Sequence, residues 1–112
     1  MKVVVFGATG TVGEALLPAL AGDHEVTAFS RSADEGLRDG VRWVRGDVED
    51  GASVDRALEG AEVVYYLVHS LGTTGFEERE RRNADIVAQA AETAGVRQIV
   101  YLGGLGEDSD EL

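Results

Sequence analysis

No cysteine occurs among the 112 residues, which excludes disulfides, thiolate nucleophiles and cysteine-ligated zinc. Proline occurs once, and there is no low-complexity tract or repeat of solenoid length, so neither disorder nor an array of linked units is indicated. Also missing is any run of about 18 apolar residues, the length that spans a bilayer. The opening Met1-Lys2-Val3-Val4-Val5 enters a strand pattern with no signal-peptide cleavage site, so a cytoplasmic protein is expected. Positive charge is scarce: 10 basic residues, of which Lys2 is the single lysine, face 21 carboxylates and leave a net charge of -11. That balance repels nucleic acid and anionic membrane, so neither is expected as a partner. No histidine or carboxylate cluster has metal-ligand spacing, and no metal is expected.

Two explanations fit the acidic, arginine-biased composition: a salt-rich cytoplasm, or compositional bias in the genome. They differ in one measurable consequence. An acidic surface adapted to salt gives a melting temperature that climbs steeply as KCl is raised to molar levels, because screening relieves self-repulsion; a flat profile leaves compositional bias.

What is present fits one domain, since typical domains run roughly 100 to 150 residues and hydrophobic residues make up 44% of the chain. Apolar and β-branched runs at Lys2 to Phe6, Glu25 to Phe29, Val41 to Arg45, Ala61 to Val68 and Gln98 to Leu102 predict five strands. Helical patterns lie between them at Thr11 to Ala21, Ser53 to Leu58 and Phe76 to Ala94. Strands as continuously apolar as Val3-Val4-Val5-Phe6, alternating with helices, predict a doubly wound parallel α/β sheet covered on both faces. Right-handed crossovers give the strand order 3-2-1-4-5, with the ligand crevice at the carboxyl ends of the first and fourth strands. Gly22, Gly60 and Gly95 stand where left-handed helix caps are expected, and Arg31 to Gly40 reads as a polar loop with at most one turn.

The first strand runs straight into Gly7-Ala8-Thr9-Gly10-Thr11-Val12-Gly13, a G-x-x-G-x-x-G spacing at a strand-to-helix turn. In that context Gly7 permits the turn, Gly10 lets phosphates approach the backbone, and Gly13 lets the helix pack on the sheet. The amides of Thr11 and Val12 then point at a pyrophosphate from a helix N-terminus, where the dipole favours an anion. The expected ligand is a nicotinamide dinucleotide. An acid at the tip of the second strand usually holds the ribose 2′-hydroxyl of NAD. Here the residues are Ser30-Arg31-Ser32, and Arg31 with its flanking hydroxyls suits a 2′-phosphate, favouring NADP(H) over NAD(H). Asp47 is a candidate acceptor for the adenine amino group and Val48 a candidate wall for the ring, the alternative for Asp47 being the N-cap of the second helix. His69, at the end of the fourth strand, is a candidate contact to the nicotinamide ribose, a candidate proton donor, or a packed or solvated side chain. The interleaved charges Glu77 to Arg82 read as a solvated helix face.

These residues resemble the atypical short-chain dehydrogenase/reductases, the NAD(P)H-binding Rossmann group related to NmrA-like proteins and sugar-nucleotide epimerases. The resemblance rests on Val5 to Gly13, Gly46-Asp47-Val48, Tyr66-Leu67-Val68-His69-Ser70 and Ala94 to Gly104. It implies cofactor contacts by the glycine motif, Arg31, Asp47 with Val48, and Leu67, Val68 and His69. It also implies an oxidoreductase whose catalytic residues are not identified in this chain. Active reductases of the family place a serine just after the fifth strand, where this chain has Gly103-Gly104, and no Tyr-x-x-x-Lys pair is present. The expectation is therefore a Rossmann domain over residues 1–106, truncated relative to the family, with an acidic, loose tail at 107–112 and little or no catalysis alone. A non-enzymatic redox-sensing or interaction module that binds dinucleotide is the alternative. An open edge after the fifth strand points to a homo-oligomer or a separate carboxyl-terminal half as partner.

Overall fold

The computed structural model describes residues 1–7, 11–67 and 76–102. The elements run β1 (Lys2–Phe6), α1 (Thr11–Ala21), β2 (Glu25–Ser30), β3 (Gly36–Arg38), β4 (Val41–Arg45), α2 (Gly51–Leu58), β5 (Val63–Leu67), α3 (Phe76–Ala94) and β6 (Gln98–Leu102). They form one six-stranded sheet in the order β3-β4-β2-β1-β5-β6. Every pairing is parallel except that of β3 with β4. With β3 set aside, the order is the predicted 3-2-1-4-5, a Rossmann α/β fold. The proposed tail at 107–112 and Gly103-Gly104 lie outside the described residues.

The extra strand corrects the reading of Arg31 to Gly40 as a plain loop. Arg38 pairs with Val41 across a two-residue turn, Asp39-Gly40, and both turn residues have positive φ, 54° and 81°. That is the dihedral requirement of a type I′ hairpin, which Asp-Gly meets well. Two smaller differences concern boundaries. The second helix begins at Gly51 rather than Ser53, capped by Asp50, whose Oδ1 accepts from the Ala52 amide at 3.2 Å. Gly60 and Gly95 take left-handed conformations where predicted but Gly22 does not; α1 ends instead with the Leu20 carbonyl accepting from Asp23 and His24.

The alternation of side chains along each strand divides the core into two clusters, one on each face of the sheet. Val4 and Phe6 of β1 join Phe29, Val64 and Tyr66 beneath α2 and α3, against Val54, Leu58, Val87 and Ala91. Val3 and Val5 join Val26, Ala28 and Val41 beneath α1, against Leu17. β1 is therefore buried on both faces and paired on both edges, as is its neighbour β2. Fully burying one such valine is worth roughly 1.5 to 3 kcal/mol. Phe6, Phe29, Tyr66 and Tyr101 sit side by side near the carboxyl ends of four adjacent strands. Their ring centroids are 4.7, 6.1 and 5.8 Å apart along the row, in tilted and edge-on geometries that aromatic pairs favour. Among the described residues no helix is long and apolar enough to cross a membrane.

Candidate functional site

Because β1, β2, β4 and β5 run parallel, their carboxyl ends lie along one edge of the layer, and the chain turns away from the sheet at Gly7, Ser30, Gly46 and Leu67. The connections from β1 cover one face and those toward β5 the other, which leaves a crevice beside the end of β1. Gly7 is fixed there by geometry. Its φ is +80°, and a Cβ built on it would meet the Leu67 carbonyl oxygen at 2.5 Å. Any larger residue pushes β5 away, so glycine holds the exit of β1 against the tip of β5. α1 then starts at Thr11 at the same end of the sheet, with Thr11 and Val12 in its first turn and Gly13 buried. Thr9, Gly10, Val68 and His69 lie outside the described residues.

At the tip of β2 the Ser30 and Ser32 hydroxyls are 3.4 Å apart, and the Ser32 amide donates to Ser30 Oγ at 3.2 Å. Arg31 between them is exposed and makes no hydrogen bond or ion pair with another described residue. Two hydroxyls and an uncommitted guanidinium at one point form a donor set suited to a phosphate monoester.

The loop after β4 is built around a close contact. Gly46 accepts no side chain, since a Cβ there would lie 2.6 Å from the Phe29 ring and 3.2 Å from Ser53 Oγ. Its amide donates to the Ser30 carbonyl at 3.1 Å, which brings the β2 and β4 tips together. Ser53 is buried in the first turn of α2. Its hydroxyl accepts from the Asp47 amide at 3.3 Å and lies 2.9 Å from the Asp47 and Asp50 carbonyl oxygens, to which it donates. The cap of α2 is thus Asp50, and the N-cap alternative for Asp47 is overturned. Asp47 turns its carboxylate to the Glu49 amide through Oδ1 at 2.9 Å, leaving Oδ2 without a partner among the described residues. Val48 is half-buried against the α2 and α3 cluster.

The structure therefore gathers Gly7, Ser30, Arg31, Asp47, Val48 and Leu67 at one end of the sheet. It adds Ser53, Arg45 and Glu35, to which the sequence reading gave no role. Arg45 Nε donates to the Ala33 carbonyl at 3.0 Å, and its amide donates to Glu35 Oε2 at 3.0 Å. The ion pair of Arg45 with Asp34 is long, at 3.9 Å, with side chains 61% and 91% exposed, and contributes little. A signal for Ser53 existed: it stands three residues after Asp50, within the opening turn of a helix. None existed for Arg45 and Glu35, whose pairing depends on how β3 meets β4. No three acidic or histidine side chains among the described residues converge as a metal site would require. A positive-φ glycine at the exit of β1, a phosphate-suited donor set at the tip of β2 and an open carboxylate oxygen on Asp47 fit a dinucleotide laid across the strand ends.

Comparison with known proteins agrees with the fold. A family model described as NAD(P)H-binding matches residues 7–111. The chain is 34% identical over 115 residues to sterol demethylase protein B of Methylococcus capsulatus, covering 95% of this chain and 35% of that protein. It is 38% identical over 102 residues to (4-alkanoyl-5-oxo-2,5-dihydrofuran-3-yl)methyl phosphate reductase of Streptomyces griseus, covering 89% and 33%. The chain thus spans about a third of the length of the curated relatives it matches. In fold it is similar to uronate dehydrogenase of Agrobacterium tumefaciens, whose structure is complexed with NAD. The TM-score is 0.77 at 21% identity, with 91% of this chain and 40% of that one covered. With the family model matching all but residues 1–6 and 112, and β1 leading into Gly7 at the start of the match, the chain belongs to the NAD(P)H-binding family of Rossmann domains.

Proposed function

We propose that this chain is the cofactor-binding part of a reductase or dehydrogenase and that it takes NADP(H) in preference to NAD(H). The observation that carries the preference is the tip of β2. Arg31 is exposed there without a described partner, two serine hydroxyls flank it, and no carboxylate stands at the tip itself. In this reading the amides of Thr11 and Val12, with Thr9 and the glycines of the loop, hold the pyrophosphate, and Ser30 and Arg31 hold the 2′-phosphate. Asp47 accepts from the adenine amino group through its open oxygen while Val48 walls the ring. Leu67, Val68 and His69 lie toward the nicotinamide end. When bound, the cofactor supplies hydride transfer. The reductase activity named for the Streptomyces griseus relative supports that reaction class for the larger protein. Little or no catalysis by these residues alone is part of the proposal, motivated by Gly103-Gly104 and the lack of a Tyr-x-x-x-Lys pair in the sequence.

Calorimetry with NADPH and NADH tests the preference. The parent is expected to bind NADPH about tenfold or more tightly than NADH, because a charge-assisted contact to phosphate is worth roughly 1.5 to 3 kcal/mol. Arg31→Ala is expected to bring the two affinities together by weakening NADPH alone. Equal loss for both cofactors, or an unchanged ratio, removes Arg31 as the selecting residue.

The second reading is a dinucleotide-binding module without catalysis, which reports cofactor state to a partner. It is favoured by Gly103-Gly104, which stand where the resembling reductases carry serine. In either case we propose the edge of β6, which no further strand among the described residues pairs, as the place for a second copy or a separate carboxyl-terminal half to add.

A further inference from the structure

The β3 to β4 ladder stops short of the crevice. Gly36, the first residue of β3, pairs with Trp43, so the backbone of β3 does not reach the last residue of β4, Arg45. A side chain takes over where the ladder ends: Glu35 Oε2 accepts from the Arg45 amide at 3.0 Å. The Arg45 guanidinium turns back along the same segment, and its Nε donates to the Ala33 carbonyl at 3.0 Å. The next carbonyl, that of Asp34, accepts from Arg38 Nη1 at 2.8 Å, and the Arg38 guanidinium lies over the Trp43 ring at 5.6 Å. On the crevice side the Ser32 amide is bonded to Ser30 Oγ and the Gly46 amide to the Ser30 carbonyl. The segment from Ser30 to Glu35 is therefore tied at its start to β4 and at its end to β4 again, with Ala33 buried between.

We propose that Glu35 and Arg45 form a strap that presets the Ser30-Arg31-Ser32 tip, and that these two positioning residues set the strength of cofactor selection. The inference rests on the NADP(H) reading above. A loop that must be ordered during binding subtracts its ordering cost from the affinity of the ligand that touches it. NADPH touches this tip through its 2′-phosphate, whereas NADH has no such group. Loosening the strap therefore weakens NADPH selectively.

Glu35 offers a test in which two explanations have opposite signs. Considered only as a charge, its carboxylate repels a nearby phosphate, so Glu35→Ala raises the preference for NADPH. As part of a strap, the same substitution lowers it. The expected result for Glu35→Ala is a fall of about fivefold in the ratio of NADPH to NADH affinity, with NADH affinity unchanged. Glu35→Gln keeps an acceptor oxygen for the Arg45 amide without the charge, and the ratio is expected at or above that of the parent. Hydrogen exchange without cofactor supplies an independent readout: the Ser32 and Gly46 amides exchange about tenfold faster in Glu35→Ala than in the parent, and at the parent rate in Glu35→Gln. A ratio that Glu35→Ala leaves unchanged or raises, a Glu35→Gln ratio as low as that of Glu35→Ala, or unchanged exchange overturns the strap alone. A parent that binds both cofactors equally, or neither, overturns the NADP(H) reading and this inference with it.

Discussion

Gly7→Ala is expected to lower the free energy of unfolding by about 3 kcal/mol, measured by urea denaturation of the parent and the variant side by side. Two costs add. An L-residue held at φ +80° costs about 1 to 2 kcal/mol against the right-handed alternative. The new methyl carbon would also stand 2.5 Å from the Leu67 carbonyl oxygen, closer than real contacts allow, so one strand end must move. Neither moves cheaply. The preceding pair, Phe6 with Tyr66, is 1% and 5% exposed and locked between rings on both sides. A loss under about 1 kcal/mol means that the turn relaxes into a right-handed conformation and that the close approach of β1 to β5 is not required for folding.

Gly46→Ala is the second large effect, expected at about 2 kcal/mol. Here backbone conformation is ordinary and the cost is crowding. The added carbon lies 2.6 Å from two atoms of the Phe29 ring, which is 2% exposed and packs at a tilt against Phe6 with centroids 4.7 Å apart. The ring has nowhere to swing, so the strain passes into the Asp47-Val48 loop. A double-mutant cycle separates this explanation from a general loss of loop flexibility. Phe29→Leu removes the crowded ring atoms, so Gly46→Ala in that background costs less than about 1 kcal/mol, a coupling of about 1 kcal/mol or more. Additive losses place the strain elsewhere.

Where the sequence was informative, the information was local. Val3-Val4-Val5-Phe6 followed by the glycine spacing identifies a buried parallel strand turning into a helix, because both periodicities sit within a dozen consecutive residues. The strand order followed from the doubly wound class together with the right-handedness of its crossovers. Asp39-Gly40 carried a hairpin signal too, yet the strand before it has only three residues, two of them exposed, and leaves almost no hydrophobic alternation to notice. Asp47 and Asp50 stand three apart before the same helix, and composition does not say which caps it. The two carboxylates differ in what they accept: that of Asp47 takes the Glu49 amide before the helix, and that of Asp50 takes the Ala52 amide inside it. The strap was illegible for a different reason. Glu35 and Ala33 meet Arg45 across 10 and 12 residues of chain, through a register that the hairpin turn determines. Of the candidate site, the types of residue at each strand end were readable; the partners that orient them were not.

The placement of β1 between β2 and β5 also has a consequence for biosynthesis. One edge of β1 finds its partner early, since β2 follows within about 25 residues, but the other waits for Val63 to Leu67. At roughly 5 to 20 residues per second, the lag of about 40 residues between completion of β2 and of β5 lasts a few seconds, whereas hairpins close in microseconds. Throughout that interval the nascent chain carries Val3-Val4-Val5-Phe6 with one side of its backbone unpaired, a template for the same tract emerging from a neighbouring ribosome. Faithful maturation of this domain therefore depends on how quickly translation delivers residue 67.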